Sequence, residues 1–217
     1  MGSDSDIISA ISLFHGQARW VLRQFDLTSR ERDQSFDALL KSLRRDGIPF
    51  ADDEVGRGAG FNLIYKFEHL MELALIFAFR TQGFLSRDFV RMISKLRGEL
   101  RPHFRRAYLE RNSGLGARVK VHFEDVDGKS PTSGVNAPPI QPLEVEGTYL
   151  DLAVSYMQGG IIAVRRCDLL GPEKAVRAFM ARHSNMYPQP PLPISDIATD
   201  IVRIATSEIP KIHRGRP

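Results

Sequence analysis

Apolar residues recur at helical spacing through the first third of the chain. Between residues 6 and 25 their spacing mixes threes and fours, which predicts a helix that Gly16 can interrupt. A second stripe, at the spacing i, i+3, i+4, i+7, is formed by Phe36, Leu39, Leu40 and Leu43. Gly47 ends this second helix, and Pro49 prevents its continuation.

The most apolar stretch of the chain follows a glycine-rich segment. Residues 48–64 contain Gly56, Gly58 and Gly60, so they cannot pack a core but can form a two-stranded wing. Residues 67–82 are apolar on most of their surface, which predicts a buried central helix. Ser86 can cap a further helix, and Pro102 can begin the next one.

The second half of the chain has a different pattern. Residues 126–147 are rich in proline, glycine and serine, as in a linker or a long loop. Residues 148–156 alternate between apolar and polar, a glycine turn follows, and residues 161–164 are β-branched, which together predict a β-hairpin. Helices are predicted from 171 to about 182 and again after Ser195, which can cap the last one.

Composition narrows the class of protein without naming a function. The chain has 217 residues, of which 42% are hydrophobic and 26% charged, so it can bury a real core. The longest apolar run, Leu73 to Phe79, is far shorter than the roughly 18 residues of a membrane span, so we expect no membrane association. The single cysteine, Cys167, excludes an internal disulfide framework and favours a cytoplasmic location.

The distribution of charge says more than the net charge of +4. The stretch from Arg80 to Arg111 contains nine basic residues and only three acidic ones. Such a run is either a solvated helix face or, beside a nucleic-acid reader, a set of phosphate contacts.

No set of residues in the sequence predicts catalysis or metal binding. No two of the six histidines lie four positions apart, and none has a partner at ligand spacing. The glycine-rich segment lacks the lysine and hydroxyl residue of a phosphate loop. Arg165 and Arg166 can lower the pKa of Cys167, which makes redox sensing conceivable, but an ordinary strand-end residue is the favoured interpretation. We predict no enzyme, no cofactor and no metal.

The stretch from Lys41 to Leu96 resembles the mercury-resistance-regulator (MerR) type of winged helix-turn-helix. In that family a basic recognition helix ends at Gly-Leu, a glycine-rich wing ends in a tyrosine strand, and a helix then leads to a Gly-Phe pair. The corresponding positions in this chain are held by Gly47-Ile48, Tyr65 and Gly83-Phe84. The family's paired tyrosines are replaced by Ser42 and Leu43. Its wing arginine is absent from the usual place, where Arg57 at the wing tip can substitute.

The resemblance implies a mainly α fold and binding to double-stranded DNA. Together with the proline-rich segment and the hairpin pattern that follow it, the resemblance predicts a winged-helix domain over 1–112, a linker over 113–147, and a small α+β dimerisation or effector domain over 148–217. On this basis, and because lysine and arginine commonly contact guanine edges and phosphates, we predict the DNA-binding residues Lys41, Arg44, Arg45, Arg57, Tyr65 and Lys66.

We therefore expect a sequence-specific transcription regulator that acts as a homodimer, because paired half-sites supply the affinity that one small reading head lacks. The alternative is a protein-interaction adaptor that has a winged-helix shape but does not read DNA. The sequence leaves open whether a small-molecule effector binds.

Overall fold

The structure is a computed structural model. It describes residues 3–25, 33–51, 53–54, 63–81, 87–111, 118–121, 143–157, 160–182, 191–207 and 209. Within these residues the chain forms eight helices and four strands, so the predicted mainly helical fold is confirmed. The tip of the predicted wing, including Arg57, lies outside the described residues.

Six helices come first along the chain. They are α1 (Asp4–Ala10), α2 (His15–Arg23), α3 (Asp33–Arg45), α4 (Phe67–Thr81), α5 (Arg87–Lys95) and α6 (Arg97–Leu109). The remaining elements are β1 (Val119–Val121), β2 (Leu143–Val145), β3 (Tyr149–Met157), β4 (Gly160–Leu170), α7 (Pro172–Arg182) and α8 (Ile194–Thr206).

The central helix of the fold is α4. Every residue from Phe67 to Phe79 is buried, which confirms the prediction made from its all-round apolar surface. Helices α2, α6 and α8 pack around it. The α3 helix joins this core through Phe36, whose ring stacks on that of Phe77 with 5.4 Å between the ring centroids.

The end of α3 follows the predicted glycine stop. Gly47 has a φ of 82°, a left-handed conformation in which a residue with a Cβ is strained. The Ile48 N–H donates to the Leu43 carbonyl across 2.9 Å, which satisfies one of the last carbonyls of the helix.

The start of α6 differs from the prediction. The helix begins at Arg97, so Pro102 lies inside it rather than at its first turn. A proline there removes one backbone hydrogen bond. The helix continues because Leu100 and Phe104 on either side of the proline are fully buried, and this packing outweighs the local loss.

The predicted hairpin is formed by β3 and β4, which pair antiparallel from Tyr149 opposite Leu170 to Met157 opposite Gly160. A second antiparallel pair, β1 with β2, joins two short strands that both lie in the predicted linker, with Val119 opposite Val145. The described ends of residues 113–147 are therefore structured.

The last helix, α8, completes the core of the N-terminal helices. Ile194, Ala198 and Ile201 are fully buried, and α8 packs against α6, α4 and α2. Ser195 does not cap this helix, whose N-cap is Pro193. Its hydroxyl instead accepts a hydrogen bond of 2.8 Å from the Thr148 N–H, which ties α8 to the start of β3.

The two predicted domains thus share one hydrophobic core in the described part of the chain. That two separately folding domains meet at a boundary near residue 112 stays a prediction. Among the described helices, none combines the length and apolar character needed to cross a membrane.

Candidate nucleic-acid interface

The α3 helix has one buried face and one basic face. Phe36, Leu40 and Leu43 point into the core, as their spacing predicts. The exposed positions carry short side chains, Ser35 and Ala38, followed by Lys41, Arg44 and Arg45. These last three residues form the α3 basic surface.

No described carboxylate forms an ion pair with the α3 basic surface. The surface borders two open grooves. One groove is lined by Ala38, Phe50 and the three cations, and the other runs between α3 and α5 past Ser42, Asp46 and Arg87. The positive charge of α3 is therefore available to an anionic partner.

The segment that enters α2 runs beside the segment that follows the predicted wing. Leu13 and Tyr65 form an antiparallel bridge, in which Leu13 N–H donates to the Tyr65 carbonyl (2.9 Å) and Tyr65 N–H to the Leu13 carbonyl (2.8 Å). The α2 helix starts at His15. Just before it, the Phe14 N–H donates a hydrogen bond to the Gln17 side chain.

His15 is joined to the buried Tyr65. The Tyr65 side chain is 1% exposed, and its hydroxyl lies 3.0 Å from His15 Nδ1. Partial burial of the imidazole, followed by the positive charge of Arg44, holds the pKa of His15 below its ordinary value. Burial also raises the pKa of the Tyr65 hydroxyl, so the tyrosine is neutral.

A buried network of charges lies behind the end of α3. Glu72 on α4 is 0% exposed, and it accepts hydrogen bonds from Arg97 (2.9 and 3.0 Å) and from Arg101 (2.8 Å). Arg101 also donates to both carboxylate oxygens of Glu54, at 2.8 and 3.0 Å. This paired geometry compensates for the cost of removing the charges from water.

The same arginines hold the backbone between α3 and the predicted wing. Arg97 donates to the Gly47 carbonyl, and Arg101 donates to the Pro49 carbonyl at 3.3 Å. Glu54 completes the connection, since it accepts from the Ala51 N–H at 2.9 Å. Two residues of α6 therefore fix the course of the chain that leaves α3.

Glu54 and His69 meet in this network with 3.3 Å between Oε1 and Nε2. Burial raises the pKa of Glu54, but hydrogen bonds from Arg101, Ala51 and His69 outweigh it and lower the pKa to about 2. Burial lowers the pKa of His69, and its Nδ1 accepts the Lys66 N–H, so the imidazole is neutral. The network therefore stabilises the carboxylate form of Glu54 and the neutral form of His69.

Other basic residues predicted as possible phosphate contacts also have internal partners. Each of the following cations bonds to a carboxylate of the chain, in the pairs Arg87–Asp46, Arg105–Glu68, Arg106–Glu110 and Arg111–Asp4. The sequence did not predict that Glu54, Glu72 and Arg97 belong to one network, because 25 to 47 positions separate the bonded partners along the chain. The presence of acidic residues within the otherwise apolar α4 helix is the sequence feature that could have indicated this network.

The predicted site residues fall into three groups. Lys41, Arg44 and Arg45 lie together on one exposed face, and Lys66 is exposed after the Leu13–Tyr65 bridge. Tyr65 is buried, and in the described part of the chain its hydroxyl lies against the exposed His15. Arg57 lies outside the described residues.

Cys167 lacks the lowered pKa that a redox sensor needs, which agrees with the favoured interpretation of an ordinary residue. Burial, together with the charges of Glu99, Asp168 and Asp151, raises its pKa to about 12. A thiol with such a pKa is protonated and unreactive at neutral pH. Among the described residues, no group of three or more His, Cys, Asp or Glu side chains is arranged to hold a metal ion.

Comparisons with known proteins leave the site to be judged on its own geometry. Neither the family models, nor the curated proteins, nor the solved structures gave a significant match to this chain.

Proposed function

We propose that the protein binds double-stranded DNA through the exposed face of α3 and acts as a sequence-specific transcription regulator. The observation that carries this proposal is the α3 basic surface, where Lys41, Arg44 and Arg45 are exposed together without a described ion-pair partner. A free cluster of cations on one helix face is the electrostatic feature that phosphate binding requires.

The arrangement of the backbone supports a winged-helix reader. The Leu13–Tyr65 bridge joins the chain that returns from the predicted wing to the segment that enters α2, so the base of the wing would lie beside the first helix of the motif. The α2 helix then supplies the first helix, and α3 the recognition helix. The arginines of α6 hold both ends of the turn into the wing.

The side chains of α3 suit entry into a major groove. Ser35 and Ala38 are short, so the helix can come close to the base edges, and the cations that follow can reach guanine edges or phosphates. One such helix gives limited affinity, so we expect a homodimer on an inverted repeat. Light scattering of the purified protein tests the dimer separately from DNA binding.

The deciding experiment compares two triple variants with the same loss of charge. K41A/R44A/R45A removes the α3 basic surface, whereas R106A/R177A/R203A removes three exposed arginines that are each paired with an acidic residue three or four positions away. Genome-wide immunoprecipitation of the tagged protein should give peaks that share a motif. The α3 variant should lose these peaks, and the control variant should keep them.

Binding to duplexes taken from those peaks should also depend steeply on salt. The logarithm of the binding constant decreases linearly with the logarithm of the salt concentration. If all three cations of α3 contact phosphate, the magnitude of this slope falls by about 2.7 in the α3 variant. An equal fall in both variants would show that only the net charge matters, and would contradict a specific role of α3.

The alternative function is a protein-interaction adaptor. It is favoured by the internal pairing of Arg97, Arg101 and Arg105, which leaves α6 with little free charge for phosphate. Absence of motif-sharing peaks with the wild-type protein would support the adaptor, and the search would then turn to protein partners.

A further inference from the structure

His15 lies at the start of α2, a helix that is bonded to α3 through Arg19 and Asp37 (2.7 Å), and the charges of Lys41 and Arg44 act on its imidazole. It is exposed at the start of α2, yet its Nδ1 is held 3.0 Å from the hydroxyl of the buried Tyr65. The two rings lie 5.8 Å apart between centroids, at an angle of 40°. The imidazole is therefore fixed in direction while part of it faces solvent.

We propose that His15 is a phosphate-contacting residue of this surface and that it gains a proton when a nucleic-acid phosphate binds beside it. Binding then strengthens as the pH falls. This inference rests on the proposed function, because it assigns a further contact and a pH dependence to the same nucleic-acid surface.

The charges that face His15 come from two helices. Arg19 lies on α2, and Lys41, Arg44 and Asp37 lie on α3. Asp37 is already engaged by Arg19, at 2.7 Å between Oδ1 and Nε. Burial of the ring and then the three cations therefore favour a neutral imidazole in the free protein, and the one carboxylate that opposes them is already paired.

A bound phosphate reverses this balance. Its negative charge offsets the cations and favours the imidazolium, so the pKa of His15 rises on binding and one proton enters from solvent. The contact with Tyr65 is compatible with both states, since a hydroxyl can donate to a bare Nδ1 or accept from a protonated one. No rearrangement of the protein is needed to charge the residue.

The sign of the effect follows from the two pKa values of His15. Above the pKa of the complex the imidazole is neutral in both states and adds no pH dependence. Affinity then rises as the pH falls, and levels off below the lower pKa of the free protein. Each unit by which phosphate raises the pKa corresponds to about a tenfold gain in affinity across this window.

The test measures affinity for a mixed-sequence DNA duplex of about 20 base pairs between about pH 8 and about pH 5.5, at constant low salt. Wild type is compared with His15→Gln, which stays neutral but can still bond to Tyr65, and with His15→Lys, which stays charged. His103→Gln on α6 is the matched control, because His103 is not among the groups facing His15. Titration calorimetry in two buffers with different ionisation enthalpies counts the protons taken up.

We expect wild type and His103→Gln to bind about tenfold more tightly at the acid end, with uptake of up to about one proton. His15→Gln should lose this gain, and His15→Lys should bind tightly throughout. If the duplex binds and His15→Gln keeps the full pH dependence, the inference is overturned while the proposed function stands. If wild type binds no duplex at any pH, the proposed function fails, and the inference fails with it.

Discussion

The basic residues at the end of α3 and the two arginines Arg97 and Arg101 of α6 have opposite environments. On α3, Lys41, Arg44 and Arg45 are exposed and have no ion pair with a described carboxylate. On α6, Arg97 and Arg101 are largely covered and bonded to Glu72, Glu54 and backbone carbonyls. Arginine is common on both helices, so composition does not separate a binding surface from a structural network.

The difference lies in the helices against which each one packs. The α6 helix faces α4, where Glu72 is buried and must have a cationic partner, because an unpaired buried charge is strongly unfavourable. The basic side of α3 faces solvent, where a cation needs no partner. The same side chain therefore stabilises the fold in one place and remains free for a ligand in the other.

The largest expected effect comes from breaking the buried network. Glu72→Gln leaves Arg97 without its carboxylate and Arg101 with only one, so the free energy of unfolding should fall by about 3–5 kcal/mol. Urea unfolding followed by circular dichroism measures this change. Glu110→Gln is the control, because Glu110 pairs with Arg106 at the surface and should cost no more than about 1 kcal/mol. Equal losses would show that the network is not special.

The next effect tests the packing of α8 against α6. Ile201 on α8 is fully buried, and α8 packs against α6. Ile201→Ala should therefore lower the free energy of unfolding by about 2–5 kcal/mol. Leu109→Ala serves as the control, since Leu109 is 42% exposed and its loss should be small.

A fragment ending at residue 112 tests the same packing by removing α8 altogether. It should lack the native core, and cooperative unfolding of that fragment would contradict the shared core and favour two domains.

A smaller effect should appear in acid. Glu54 has a pKa of about 2 in the folded protein and an ordinary value of 4.5, so its stabilisation is complete above about pH 4.5 and is lost as the pH falls toward 2. After allowance for solvent screening, this contribution is about 1–2 kcal/mol. The stability difference between wild type and Glu54→Gln should shrink over this range. A constant difference for Glu54→Gln would rule out the assigned pKa.

The smallest effect should follow removal of the α3 basic surface. K41A/R44A/R45A should change the free energy of unfolding by only about 0.5 kcal/mol, because exposed side chains without partners contribute little. Arg101→Ala, a single substitution on α6, should cost several times more. Thermal unfolding of the two variants makes the comparison. A large loss in the triple variant would mean that α3 uses its cations to stabilise the fold.

Much of the secondary structure could be predicted because its causes are local. The stripe on α3, its stop at Gly47, the buried α4 and the β3–β4 hairpin all follow from spacing and turn residues within short segments. The α3 basic surface could be predicted for the same reason, since the buried face of one helix defines its exposed face. The start of α6 could not, because burial on both sides of Pro102 outweighs the local preference.

The sequence by itself determined which faces of the helices are apolar, where the helices stop, and which residues of α3 can meet a partner. Only the tertiary structure decided which arginines have partners, that Ser195 ties α8 to β3 rather than capping its helix, and that Tyr65 orients His15. The physical reason is range. Periodicity and backbone preference act within a few residues, whereas an ion pair between side chains 25 to 47 positions apart exists only after the core has brought them together.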